Sequence, residues 1–282
     1  MTNDALAGEF IAGRAGPLFV LRRGSPTSGR CVLVVPPFAE EMNKSRRMVA
    51  LASIRLAAAG VVTVMPDLYG TGDSGGDFAD ADWELWQDDL VRTARWCVST
   101  LGPVTGVLAI RLGCALACDE QVLAVMPEVS RTVFWQPVLD GSRFLTQFLR
   151  LRVAASMAND VRESVADLRR ELSVVGEIEV SGYRIPSGLA SALDEITEPP
   201  VLPVGLGVVE WFELVRESGL PVAPSSSRLI QASVAAGRSV AGHSLAGEPF
   251  WAATEIVTNE EFVRETARAF TGPGSTAGSA AS

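Results

Sequence analysis

The sequence predicts an α/β fold, in which a mainly parallel β-sheet carries helices on both faces. Short apolar runs alternate with helical patterns along most of the 282 residues, as successive strand-helix units do. Several of these runs, such as Val61–Pro66, are continuously apolar, which is typical of parallel strands buried on both sides. The alternation stops over residues 142–198, where only helical patterns occur. The sequence therefore predicts a core of residues 1–141 and 199–270 with a helical cap, 142–198, inserted into it.

Glycine, proline and small polar residues divide the chain into its elements. The predicted strands are Phe19–Arg23, Cys31–Val35, Val61–Pro66, Val107–Ile110, Arg131–Trp135, Gly205–Leu214 and Ser239–Ala241. The first predicted core helix begins at Asn43 or Ser45 and ends near Ala59. The other predicted core helices are Ala81–Leu101, Cys114–Val125, Ser226–Ala236 and Glu260–Phe270. The predicted cap helices are Phe144–Met157, Val161–Leu172 and Leu189–Ile196. Residues 271–282 are rich in Gly, Ala and Ser, which predicts a disordered tail.

Composition and charge exclude several classes of function. The net charge of -9 and the pI of about 4.8 do not suit a nucleic-acid partner. No apolar run approaches the roughly 20 residues of a membrane span, and the N-terminal residues do not resemble a signal peptide. We therefore expect a cytoplasmic protein whose four cysteines are free thiols. A single histidine makes a zinc site improbable, so we expect neither a metal nor a cofactor.

The stretch around Arg111 has the pattern of a sharp strand-to-helix turn. The apolar strand Val107–Ile110 is broken by Arg111, Gly113 permits a tight turn, and an apolar helix follows. This is the pattern of the nucleophile elbow, G-x-S-x-G, of α/β-hydrolases. Here Ala109 and Gly113 take the glycine positions and Arg111 takes that of the nucleophile. A guanidinium cannot attack a carbonyl carbon, so the sequence predicts an α/β-hydrolase fold that lacks the elbow serine.

Acyl hydrolysis also needs oxyanion donors, a base and an acid. The predicted donors are the N–H of Leu112 and that of Phe38 or Ala39. His243 follows the last predicted strand and is either the general base or a loop histidine. Asp140, after the strand that follows the elbow, is either the acid or a turn residue, and Glu210 and Glu213, on or near the next strand, are the alternatives for the acid. The Gly242–Ala246 stretch mimics an elbow around Ser244, but Pro249 would cut off the helix that an elbow requires.

Further polar residues lie in loops at the predicted strand ends, where sheets of this class bind ligands. Glu40, Glu41 and Lys44 form either a solvated charged loop or part of a pocket lining. Ser74, in a glycine-rich loop, is most simply a residue that shapes that loop. Arg111 would lie beside a helix N-terminus, where a cation is unfavourable, so we expect a negative partner. The candidates are Glu40, Glu41, Asp140 and an anionic ligand.

Five stretches together resemble one known family. They are Pro37–Met48, Gly70–Phe78, Arg111–Gly113, Trp135–Gly141 with Leu145–Arg152, and Pro249–Trp251. These stretches are similar to the exosortase A system-associated hydrolase 2 family, a branch of the α/β-hydrolase superfamily, over about residues 8–270. The resemblance implies a genomic association with exosortase and exopolysaccharide loci. It also implies hydrolysis of an acyl ester or thioester, on the analogy of the fold.

Two functions remain open from the sequence. The first is a hydrolase or acyltransferase that acts on an acylated small molecule or saccharide. The second is a non-catalytic α/β-hydrolase-fold protein that binds a ligand or a partner protein. The family resemblance favours the first function and the missing serine favours the second, and both require a pocket at the strand ends. The hydrolase is the preferred prediction, because the family carries that description.

Overall fold

The computed structural model describes residues 5–158 and 162–272. The strands are β1 (Leu6–Ala12), β2 (Pro17–Arg23), β3 (Cys31–Val35), β4 (Val62–Pro66), β5 (Val104–Ile110), β6 (Arg131–Trp135), β7 (Glu177–Val180), β8 (Tyr183–Pro186), β9 (Val208–Val215) and β10 (Val240–Ala246). The helices are α1 (Glu40–Ala58), α2 (Trp83–Thr100), α3 (Gly113–Ala117), α4 (Glu120–Ala124), α5 (Gly141–Ala158), α6 (Val165–Val175), α7 (Ser187–Glu195), α8 (Pro224–Ala235) and α9 (Glu260–Thr271), with a 3-10 turn at Phe78–Asp80.

Eight strands form one sheet in the order β1-β2-β4-β3-β5-β6-β9-β10. The β1-β2 and β2-β4 pairs are antiparallel, and every later pair is parallel. The predicted fold class is therefore confirmed. Strand β1 was not predicted, because its side chains alternate between partly buried and exposed at the edge of the sheet and give no apolar run.

The register of the central strands places Arg111 and Gln136 next to each other at one edge of the sheet. Ile110, at the end of β5, pairs with Trp135, at the end of β6, and Trp135 pairs with Phe212 of β9. The next residue on each of the first two strands, Arg111 and Gln136, therefore lies at the carboxyl edge of the sheet. Parallel strands end together at this edge, where open α/β sheets bind ligands.

Each face of the sheet is covered by an apolar layer. On one side α1 and α9 pack around a cluster that includes Trp135, Phe250 and Phe262. On the other side α2, α3, α8 and the cap helices pack around Phe38 and Trp86. Trp86 of α2 is buried and makes an edge-on contact with the Phe38 ring.

Two predicted helix boundaries were wrong. Helix α1 begins at Glu40, not at Asn43 or Ser45, so Glu40 and Glu41 belong to its first turn, where negative charge is favourable. The helix predicted over Cys114–Val125 is interrupted, because the Asp119 carboxylate accepts hydrogen bonds from backbone N–H groups and starts α4.

Residues 142–198 contain the expected helices α5, α6 and α7, but also a β-hairpin that was not predicted. Strands β7 and β8 are joined by Ser181 and Gly182, whose φ angles of 51° and 83° suit a two-residue hairpin turn. The hairpin contacts the core, because the Tyr183 hydroxyl accepts a hydrogen bond from Asn43 at 2.8 Å. Residues 159–161, at the predicted start of the second cap helix, and 273–282 of the predicted tail lie outside the described residues.

The four cysteines are free, as predicted, and Cys31, Cys97 and Cys114 are buried. Burial raises the pKa of the Cys118 thiol to about 12, so this thiol stays protonated at neutral pH. Among the described residues no cluster of three metal-ligating side chains occurs. None of the helices in residues 5–158 and 162–272 is long and apolar enough to cross a membrane.

Candidate functional site

The turn between β5 and α3 is sharp and strained. Arg111 at its apex has a φ of 55°, in the left-handed region that non-glycine residues seldom adopt. Gly113, two residues later, packs against the end of β3, where an added Cβ would lie 2.4 Å from the Pro36 carbonyl oxygen. Only glycine fits there without displacing the backbone. The predicted strand-to-helix turn is therefore present, with an arginine at its apex.

The Arg111 side chain is held at the carboxyl edge of the sheet by three groups. Its Nε and Nη2 donate to Glu41 Oε1 at 3.1 and 3.0 Å, and its Nη1 donates to the Gln136 carbonyl oxygen at 3.2 Å. The ring of Trp251 covers the guanidinium, whose carbon lies 4.8 Å from the ring centroid. The expectation of a negative partner is confirmed, and of the candidates Glu41 is that partner.

The Glu41 carboxylate lies in a poorly solvated environment. Burial raises its pKa above the usual range, while the Arg111 guanidinium and Lys44 oppose that rise. One oxygen accepts both hydrogen bonds from Arg111, and the other, Oε2, is buried without a hydrogen-bond partner among the described residues. Glu41 therefore depends on Arg111 to remain ionised.

The other charged candidates on α1 do not join this pair. Lys44 Nζ lies 3.7 Å from Glu40 Oε1, and both side chains are about one-third exposed. This contact is a helical i,i+4 pair of the solvated kind. Ser74 shapes its loop: its hydroxyl accepts from the Phe19 N–H at 2.8 Å and donates to the Asp67 carbonyl oxygen at 2.5 Å.

The residues predicted as oxyanion donors surround almost no free space. Phe38, Ala39 and Leu112 line a small cavity of about 10 Å³. That volume is the minimum that holds one water molecule. The space is filled because the Phe38 ring packs edge-on against Trp86 and Phe144, at 5.7 and 5.4 Å between ring centroids. An acyl group does not fit beside these N–H groups in this conformation.

A larger cavity of about 240 Å³ opens beside Arg111, and we call it the strand-end cavity. It lies between β6, β9, α5 and the start of α8. Its polar lining consists of Arg111, Gln136, Asp140, Arg143, Gln147, Glu198, Glu213, Ser225 and Ser226. Asp140 lines it, and its Oδ1 also caps α5 by accepting from the Arg143 N–H at 2.8 Å.

Two residues of this site, Gln136 and Trp251, were not assigned a role from the sequence, and a third, Glu213, was an alternative for the acid. Gln136 has a φ of 44°, and its Oε1 accepts from the Leu214 N–H at 2.8 Å, which fixes the loop after β6. Glu213 is buried, and its two oxygens accept N–H bonds from Trp211 and Ala223. Trp251 is 140 residues from Arg111 in sequence, and no local pattern predicts their contact.

His243 lies elsewhere in the fold. The sequence suggested that His243 follows the last strand, but it lies within that strand, β10. Its Nε2 lies 2.7 Å from Glu210 Oε2, and Arg131 donates to the other oxygen of Glu210 at 2.9 Å. The hydrogen bond from His243 lowers the pKa of Glu210. These residues line a cavity of about 600 Å³ beside α9, whereas Asp140 lines the strand-end cavity.

The structure therefore does not bring the two predicted catalytic residues into one cavity. Ser244 lines the same cavity as His243, and it lies inside a strand, not at a strand-to-helix turn. Of the candidates, Arg111 and Asp140 share the strand-end cavity, and Phe38, Ala39 and Leu112 share the cavity of about 10 Å³.

No protein-family model matches the chain, and no curated protein matches it. Solved structures do match over nearly the whole length. Est1E from Butyrivibrio proteoclasticus with bound ferulic acid has a TM-score of 0.65 at 11% identity, covering 92% of this chain and 96% of that chain. An esterase from Pyrobaculum calidifontis has a TM-score of 0.60 at 13% identity, covering 96% and 86%. A fungal esterase from Rhizomucor miehei has a TM-score of 0.55 at 12% identity, covering 94% and 84%.

At this level of identity the likeness establishes the fold alone. The protein has the α/β-hydrolase fold, with a mainly parallel eight-stranded sheet. What its site does must be argued from the residues that the site contains.

Proposed function

We propose that this α/β-hydrolase-fold protein binds a small molecule in the strand-end cavity and does not hydrolyse esters through a serine nucleophile. The observation that carries the proposal is the Arg111 side chain at the apex of the elbow-like turn. It is bound to Glu41 and covered by Trp251. A guanidinium stays protonated and is no nucleophile, so the position that would start acyl transfer has no attacking group.

Two further observations support this proposal. The N–H groups expected to stabilise an oxyanion surround a cavity of about 10 Å³, too small for a tetrahedral intermediate. The single histidine is engaged with Glu210 beside α9 and lines a different cavity from Arg111. Nucleophile, base and oxyanion donors must lie within hydrogen-bond reach of one reacting carbon. Here the histidine lines a different cavity from both Arg111 and Leu112.

A second candidate function is hydrolysis of an acyl ester or thioester, linked to exosortase and exopolysaccharide loci, as the family resemblance implies. The strained backbone at Arg111 favours it, because a φ of 55° is the kind of strain that turns of this type carry. The hydroxyl side chains in the lining of the strand-end cavity are those of Ser225 and Ser226. An acylated saccharide would be the substrate in that case.

Labelling and hydrolysis assays distinguish the two functions. The purified protein is treated with a fluorophosphonate probe and assayed on p-nitrophenyl acetate, p-nitrophenyl butyrate and short acyl-CoA thioesters. We expect no labelling and no turnover above buffer. Covalent labelling mapped to residues 105–117 or to Ser244 would overturn the proposal. Turnover that disappears in a Ser225→Ala/Ser226→Ala variant, but persists in a matched Ser227→Ala variant, would establish the second function instead.

A further inference from the structure

We infer that the strand-end cavity accepts a neutral, polyhydroxylated small molecule. This inference rests on the proposed function, because it names the class of ligand that the same cavity takes. Three properties of the cavity carry it: unused hydrogen-bond donors on Arg111, unpaired polar groups of both kinds around the rim, and an excess of carboxylates.

The Arg111 guanidinium retains two unused donors. A guanidinium carries five N–H groups, one on Nε and two on each Nη. The Nε group and one Nη2 group bind Glu41, and one Nη1 group binds Gln136. One N–H on each Nη remains without a partner in the described part of the chain. The side chain is only 12% exposed and lines the cavity, so a ligand in the cavity can accept hydrogen bonds from these donors.

The rest of the lining offers both donors and acceptors. Arg143 and Glu198 make no ion pair within residues 5–158 and 162–272, although both line the cavity. The Gln147 amide and the hydroxyls of Ser225 and Ser226 likewise have no hydrogen-bond partner in that part of the chain. A hydroxyl group donates one hydrogen bond and accepts others, so a ligand with several hydroxyls can serve both kinds of group.

The balance of charges disfavours ionic ligands. The lining residues Asp140, Glu198 and Glu213, together with Glu41 behind Arg111, give four carboxylates against the two guanidiniums of Arg111 and Arg143. An anionic ligand would therefore meet net repulsion. A cationic ligand would leave the two Arg111 donors unpaired and would lie beside a guanidinium. A neutral ligand avoids both costs.

The size and the apolar part of the cavity set the scale of this ligand. At about 240 Å³ the cavity is smaller than the 300–1,000 Å³ of sites for drug-sized ligands, so it holds a single ring or a short chain. Phe144 and Trp211 also line it and offer apolar surface to C–H groups. Planar polar groups at the rim and aromatic rings below together suit a monosaccharide or a cyclic polyol.

Saturation-transfer difference NMR on the full chain tests this inference. The probes are D-glucose, D-mannose and myo-inositol, with D-glucuronate as the anionic analogue and D-glucosamine as the cationic one. We expect saturation transfer to at least one neutral probe, and at least tenfold weaker binding to both charged analogues. An Arg143→Gln/Glu198→Gln variant should weaken binding of the neutral probe at least tenfold, since it alters two rim groups.

The control variant is Glu261→Gln, because Glu261 lines the cavity that contains His243. It should bind the neutral probe as the wild type does. Preferential binding of glucuronate or glucosamine would overturn the inference and leave the proposed function standing. Binding of no probe would also overturn the inference. The proposed function fails on different evidence, namely covalent labelling or turnover.

Discussion

Replacing Arg111 by glutamine should destabilise the protein, because it leaves Glu41 as an uncompensated, largely buried charge. The two side chains are 12% and 14% exposed and meet at 3.0 Å. At that distance an effective dielectric constant of about 20 gives roughly 5 kcal/mol of attraction. Breaking a buried pair costs 3–5 kcal/mol, and partial exposure places Arg111→Gln near the lower limit, about 3 kcal/mol. For a chain of this length the melting temperature should fall by roughly 6–12 °C.

The pH dependence separates this explanation from a loss of packing. Without Arg111, burial raises the Glu41 pKa further, so the folded state holds the carboxyl proton more tightly than the unfolded state does. The stability of the variant should therefore fall as the pH rises above about 4.3, the ordinary carboxyl value, and the deficit should be larger at pH 8 than at pH 5.

A double variant, Arg111→Gln/Glu41→Gln, supplies the control, because it removes both charges together. It should recover most of the lost stability, since no unpaired charge remains. Urea denaturation at pH 5 and pH 8, on the wild type and both variants, measures these differences. A loss below about 1 kcal/mol for the single variant, independent of pH, would refute the assigned ion pair.

Two more substitutions test the surroundings of the site. Burial raises the Asp89 pKa to about 7, so the wild type should lose stability as the pH rises from about 4 to 7. Asp89→Asn keeps an acceptor for the Tyr69 N–H and should be the more stable protein at pH 8, by at most about 4 kcal/mol. Equal urea midpoints for the two proteins at pH 8 would contradict this. Gly113→Ala should destabilise the protein by about 2 kcal/mol or more, because its Cβ would lie 2.4 Å from the Pro36 carbonyl oxygen. The control Gly188→Ala has open space around the added Cβ and should not destabilise the protein. A calorimetric scan of both variants measures the difference.

The elements of the fold that could be predicted are those in which local pattern and tertiary role agree. β3 is continuously apolar in sequence and fully buried in the sheet, so its pattern gave the correct element. The β7-β8 hairpin was missed because its strands are only four residues long and pack against neighbouring helices. Its signal was the pair Ser181-Gly182, which suits a tight turn.

The candidate site was less predictable, because its contacts join distant parts of the chain. Arg111 could be placed at the turn from Gly113 and the preceding strand, and a carboxylate partner followed from electrostatics. The choice of Glu41 over Glu40 could not be made, since it depends on where α1 begins. The sequence suggested Asn43 or Ser45, and the helix begins at Glu40, directly after Ala39. That shift turns Glu41 toward the strand ends and leaves Glu40 beside Lys44.

Backbone strain at the strand ends argues that the site has been retained for a purpose other than stability. Ala39, Arg111 and Gln136 follow three adjacent strands, β3, β5 and β6, and all three have positive φ angles, of 48°, 55° and 44°. Each such non-glycine conformation costs about 1–3 kcal/mol and persists only where the surroundings enforce it. Glycine would relieve the strain at Ala39 at little cost in contacts. Of the non-glycine residues with positive φ in the described part of the chain, only Ser181 lies elsewhere, in the turn of the β7-β8 hairpin. Three strained residues at the edge where Arg111 lines the cavity are more consistent with a functional binding site than with an inert remnant of the fold.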